Sequence, residues 1–200
     1  MTNTKNPAVL LSLILGCIVL LFSETGCNTD NSAYVIRLDS LDQKLDLTEE
    51  YLRIDYATIS AREAIITKQI DYIKEYYDME ISEEFGNSMT RYRGVKKAYS
   101  NFLKQYPKAF DELKSLQKQA NDLRTSVTKN ELTKEEFKTF YKKEMFDTDQ
   151  NLKFAEGLSK TIHSLEPEYQ RISNIVHAEL TRIAQTNEGL ADRMKADESN

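Results

Sequence analysis

The chain has 200 residues, with 27 Lys and Arg against 32 Asp and Glu, for a formal net charge of −5. Such a balance lacks the clustered basic footprint that a nucleic-acid partner demands and gives no electrostatic adhesion to an anionic bilayer. Two cysteines, six glycines, three prolines and no tryptophan favour helix throughout and leave too few thiols for a disulfide framework or a thiolate metal centre.

In chain order, the first feature is a positive start, Lys5, followed by the apolar run 8–22, broken only by Ser12 and Gly16. A spanning helix wants ~20 apolar residues; this run fits the ~7–15 residue apolar region of an export signal. Gly26 and Cys27 follow, then the polar stretch 28–32. A small residue directly before a cysteine, just past an apolar run, resembles the lipobox of bacterial lipoproteins. That resemblance implies cleavage before Cys27, acylation of its thiol, and residence in a bacterial cell envelope, anchored by lipid. Asn28 in place of Asp after the cysteine points, by the same resemblance, to the outer membrane, with the body facing periplasm or surface. Gly16 and Cys17 form a second site of the same kind, but a cut there leaves apolar residues 18–22 on the mature chain. The residues also leave open an uncleaved signal anchor or an ordinary cleaved signal. The expected organisation is a signal at 1–26, a lipidated tether at 27–33, a helical domain at 34–186 and a flexible tail at 187–200.

The body reads as all-α. Leu38, Leu45, Leu52, Ile59, Ile66 and Ile73 recur every seven residues, with Leu41, Tyr56, Ile70 and Tyr77 between them. A seam of period near 3.5 marks coiled-coil-like packing. It predicts one helix over about 34–83, on the order of 70 Å long, interrupted in its seam by Thr48 and Glu63. Phe85, Gly86, Asn87 and Ser88 are expected to turn the chain, since Gly and Asn tolerate helix-ending conformations.

A second helix is predicted over about 89–129, its seam running from Tyr92 through Val95, Tyr99, Phe102 and Tyr106 to Val127. Pro107 costs this helix a hydrogen bond, but the apolar phase continues across it, so a kink or two collinear segments is expected. Residues 128–132 form the next turn. Thr133 and Glu136 make a capping box, with Leu132 and Phe137 as a staple. The third helix runs over about 134–185, with Pro167 as a second kink or Ser164 capping a separate last segment. Short connections between long helices imply an elongated antiparallel three-helix bundle, with leftover seam available for a homodimer.

No catalytic residue, metal site or cofactor is indicated. His163 and His177 are fourteen residues apart, ~21 Å along a continuous helix, too far to share a metal. The carboxylate pairs Glu83 with Glu84, Glu135 with Glu136 and Glu166 with Glu168 lack the cleft that glycoside chemistry needs. No nucleophile elbow, phosphate loop, HExxH or CxxC occurs. Two surface candidates remain. Arg91, Arg93, Lys96 and Lys97 flank Tyr92 and Tyr99 and form a basic stretch suited to a polyanion. Tyr76, Tyr77 and Phe85 lie at the first turn, where aromatic rings serve as core filling or as an interaction tip. The functional expectation is a non-catalytic envelope lipoprotein that binds or scaffolds an envelope protein. A periplasmic chaperone or assembly factor is the alternative, and it predicts splayed helices around an open cavity.

Overall fold

A computed structural model describes residues 32–78 and 80–198; the signal segment and Cys27 lie outside the described residues. The described chain is all-α, with five helices and no strand: α1 Ser32–Tyr51, α2 Tyr56–Tyr76, α3 Glu83–Thr128, α4 Lys134–Ala184 and α5 Glu188–Glu198. Each apolar seam faces a shared core. Leu38, Leu45, Leu52, Ile59, Ile66 and Ile73 are all buried, as are Tyr92, Val95, Tyr99 and Phe102 of α3 and Ile172, Val176 and Leu180 of α4. The two polar interruptions are satisfied. Thr48 is fully buried and its hydroxyl donates to the Lys44 carbonyl at 2.7 Å. Glu63 accepts from the Ser100 hydroxyl at 2.8 Å.

The predicted first helix is two helices, because the chain breaks at Leu52–Asp55. The Leu52 amide is shared between the Thr48 and Glu49 carbonyls, and Arg53 bonds back to Glu50, a tightened last turn of the kind that closes helices. Asp55 restarts the chain, its carboxylate accepting from the Thr58 amide at 3.0 Å and the Thr58 hydroxyl at 2.6 Å. The seam keeps its phase across the break, which is why heptad spacing conceals it.

A second irregularity lies beside the first. Pro107 has no N–H to offer the Leu103 carbonyl four residues back. The Tyr56 hydroxyl donates to that carbonyl at 3.5 Å, while the Tyr106 hydroxyl donates to the Leu52 carbonyl at 2.8 Å. Each helix thus supplies a hydroxyl to the other's defect, and the rings pack together (Tyr56 to Tyr106, 5.5 Å between centroids). α3 therefore continues through Pro107, and α4 continues through Pro167 without a cap at Ser164.

The first turn also lies earlier than the seam predicts. Ser82 caps α3, accepting from the Phe85 amide at 3.3 Å, with Glu83 and Glu84 in the first helical turn. Carboxylates are favoured there by the helix dipole, and Phe85, Gly86, Asn87 and Ser88 are helical, so the connection between α2 and α3 ends at Ser82. The Thr133 capping box forms as predicted, with the Glu136 carboxylate taking the Thr133 amide at 2.9 Å. Asn130 ends α3 at φ 57°, with the Glu131 amide reaching back to the Ser126 carbonyl, the left-handed closure that asparagine tolerates.

Within the expected flexible tail at 187–200, Glu188–Glu198 form the helix α5. The Asn187 side chain caps it at the Leu190 amide, 3.1 Å away, and Leu190 is 0% exposed. Full burial of one leucine stabilises by about 1.5–3 kcal/mol, enough to hold three turns when cross-links assist. Only Leu190 and Met194 carry the apolar stripe, too little for a periodic pattern to register.

Tyr106→Phe is expected to destabilise the chain by about 1 kcal/mol, the net worth of a partly buried hydrogen bond. Tyr56→Phe, whose bond is longer, is expected to cost less. Urea unfolding of the two variants against the parent measures the order, and equal or inverted effects refute the hydroxyl exchange.

Candidate interaction surface

Side chains link the helices pairwise in a consistent order. Arg124 of α3 donates to Asp39 at 2.8 Å and Asp42 at 2.6 Å, Gln117 to Glu49 at 3.2 Å, and Tyr92 to Gln69 at 2.6 Å. As numbers rise along α1 and α2, their α3 partners fall. The α4 partners rise instead: the Tyr34 ring lies 4.2 Å from Phe137, Lys44 pairs with Asp149, and Arg62 forms a two-pronged pair with Glu166. The Arg62 guanidinium also lies over the Tyr169 ring, 4.9 Å from its centroid. The Gln170 amide and the Arg62 fork together hold the Glu166 carboxyl below its ordinary value of 4.5.

The four residues of the predicted basic stretch do not converge. At about 100° per residue, Arg93 and Lys97 share the outward face of α3. Arg91 turns toward α4, where Glu168 lies 4.0 Å away, and shares its shallow hollow with Glu83, Glu84 and Arg171. Lys96 is half-buried on the α2 side; there the Asp71 carboxyl is held low by Lys74 and, more weakly, by Lys96. The carboxylates of Glu83, Glu84 and Glu168 beside Arg91 offset its attraction for an anion.

The predicted aromatic tip is largely used internally. Phe85 is buried, and Tyr77 stacks on it with centroids 5.5 Å apart. The Tyr76 hydroxyl accepts from Arg193 of α5 at 3.1 Å. His163 and His177 are both exposed; His163 Nδ1 lies 2.8 Å from the Ser159 carbonyl, and His177 borders a groove of about 300 Å³ between α2, α4 and α5. Among the described residues, no group of three or more His, Cys, Asp or Glu is placed to hold a metal, and no helix is long and apolar enough to cross a membrane.

α5 is clasped to α2 by charge. Asp197 accepts from the Tyr72 hydroxyl and from Lys68 at 3.0 Å, and Arg193 donates to Glu75 at 2.6 Å. Burial first, and the bond to Asp197 second, push the Tyr72 phenol up to about 12.

Three exposed phenylalanines stand on the first half of α4. Phe146 is 62% exposed, Phe140 46% and Phe154 41%. Phe140 edges a hollow of about 250 Å³ walled by Leu123 and Leu132; Phe154 edges one of about 320 Å³ beside Ala109 and Asn151. Seam reading passed over all three because they lie off the buried ridge of Phe137, Thr148 and Ala155. The signal was present: Phe140 and Phe154 are two heptads apart, so they recur on one face of their own. On the buried side at this level stand Glu144 and Asn151, while the apolar Met145 and Leu152 next to them are only half-buried. Asn151 is placed there by its donation to the Ala109 carbonyl at 3.3 Å.

The α5 clasp is expected to be acid-sensitive. The Tyr72 hydroxyl and Lys68 hold the Asp197 carboxyl below its ordinary value of 3.8. A carboxylate whose pKa is lowered by folding stabilises above its unfolded value and loses that contribution as pH falls through the folded value. Amide protection of α5, corrected for intrinsic exchange, should therefore hold down to pH 3.8 and decline below it, and Asp197→Asn should weaken protection at neutral pH and remove the step. An unaltered step in Asp197→Asn assigns it to another group.

No protein-family model matches the chain, and neither a curated protein nor a solved structure matches it.

Proposed function

We propose that this chain is a lipid-anchored protein of the bacterial envelope whose body is a non-catalytic interaction or scaffolding module. In this reading the body is an elongated antiparallel bundle of three rods. α1 and α2 form the first rod, α3 the second, and α4 the third, with α5 folded back on the far end. The opposed order of the α3 and α4 partners along α1 and α2 supports that topology. At 1.5 Å per residue, the 51 residues of α4 make a rod about 76 Å long.

The observation that carries the reading is the Tyr34–Phe137 contact at 4.2 Å. It brings the start of α1, five residues beyond Cys27, against the start of α4. The anchored end is then the end at which Val35, Ile36, Phe140 and Phe146 stand exposed. In this reading these exposed apolar side chains beside the anchor are where a partner docks. A substrate pocket requires converging polar groups in a concavity; the polar groups here pair across helices and hold the rods in register.

Expression of the tagged full chain in a Gram-negative host provides the test. The expected product lacks residues 1–26, carries acyl mass on Cys27 and fractionates with membranes, whereas Cys27→Ala is unmodified and released. Partners captured from membranes by the parent and lost with Cys27→Ala depend on the anchor; partners retained are chosen by the helices. A soluble, unacylated parent product sinks the proposal.

A further inference from the structure

We infer that the hollow between α3 and α4 walled by Leu123, Leu132 and Phe140 is a binding site for an alkylammonium group, seated on the carboxylate of Glu144. The inference rests on side chains of α3 and α4 and holds with or without the lipid anchor.

The first observation is a pair of buried oxygens that lack donors. Glu144 is 9% exposed, an unusual depth for a carboxylate. Its Oε2 is buried and has no hydrogen-bond partner among the described residues, and Gln119 Oε1 is in the same condition. Both side chains line this one hollow. Buried polar atoms in a folded chain almost always find a partner, and a carboxylate oxygen without one bears the full desolvation cost of a charged acceptor. Two such acceptors on facing helices call for a donor that the described chain does not supply.

The second observation is the direction of the neighbouring groups. Lys143 Nζ lies 3.6 Å from Glu144 Oε1 and donates to Asp147 at 2.9 Å. The adjacent cation is therefore turned to the other carboxylate oxygen and to a second acid. Glu144 is left with one open oxygen, a seat for a point cation rather than for the two-pronged guanidinium fork. Gln119 Nε2 donates to Ser115 at 3.1 Å, which turns the amide oxygen away from Ser115. Asp122 lines the same hollow and adds a second negative charge, whereas no Lys or Arg among the described residues lines it. A divalent metal ion needs about six oxygen ligands, which this wall of leucines and phenylalanine does not offer.

The third observation is shape. The hollow holds about 250 Å³, against ~30 Å³ for one water. A water can bridge the two oxygens, but it brings no charge to Glu144 and leaves Leu123, Leu132 and Phe140 wet. An alkylammonium answers both needs. Its methylenes cover the leucines and the ring, and its hydrogens go to Glu144 Oε2 and Gln119 Oε1, with the third left for Asp122 or solvent.

Spectra of the nitrogen-15-labelled full chain, titrated with n-butylammonium chloride, test the site. The side-chain amide of Gln119 and the backbone amides of Leu123, Phe140 and Glu144 should shift together and saturate, with Kd on the order of 1 mM, the range open to so small a ligand. n-Butanol keeps the chain and loses the charge; potassium chloride at matched ionic strength keeps the charge and loses the chain. Each should bind at least about tenfold more weakly. Glu144→Gln should weaken n-butylammonium by at least about tenfold with helicity unchanged. Should that variant lose helicity, Gln119→Leu removes the other oxygen at similar volume and is expected to weaken binding about threefold. An equal response to n-butanol or to potassium overturns the proposal, as does unchanged binding in a folded variant. No saturation up to ~50 mM overturns it as well; that is the result expected if the Gln119 amide turns over, accepts from Ser115 and donates to Glu144, closing the site from within. Nα-acetyl-lysine N-methylamide identifies the source. Tighter binding than n-butylammonium assigns the site to a lysine side chain of a protein partner, weaker binding assigns it to a free amine, and either result upholds the site.

Discussion

A helix with one oily ridge cannot stand alone in water, and the described helices are arranged so that their ridges share one core and stay in phase. The interior accepts irregularity only where the ridge survives it. Leu52 and Ile59 remain buried on either side of the break at Leu52–Asp55, and Tyr99, Phe102 and Ala109 remain buried around Pro107. The Leu103 carbonyl, which Pro107 leaves without an amide, meets the Tyr56 hydroxyl, and the Leu52 carbonyl takes the Tyr106 hydroxyl beside the Ile54 amide, so each irregularity gains a tertiary bond. The two defects lie at one level because each supplies what the other lacks.

Electrostatics acts on register more than on total stability. Exposed ion pairs contribute about 0–1 kcal/mol each, and most pairs here are half-exposed. Their value lies in direction. Arg124 grips both Asp39 and Asp42, Lys44 reaches Asp149, and Arg62 reaches Glu166. A slip of one heptad leaves the apolar ridges matched but breaks every one of these pairs. Heptad seams are degenerate in that slip, so cross-helix charges specify what burial alone leaves ambiguous.

That degeneracy also explains what was legible in the sequence. Most seam residues, the turn within 128–132 and the Thr133 capping box have local signatures, and they fold as those signatures state. The break before Asp55 was hidden because phase continues across it. The start of α3 at Glu83 was hidden because Gly86 and Asn87 look like breakers, although Ser82 with two following glutamates is the stronger start signal. α5 was missed because its order depends on partners more than a hundred residues away: Tyr72 and Lys68 for Asp197, and Glu75 for Arg193. The basic stretch was legible as composition but not as a surface, since helical rotation sends Arg91 and Lys96 to opposite flanks.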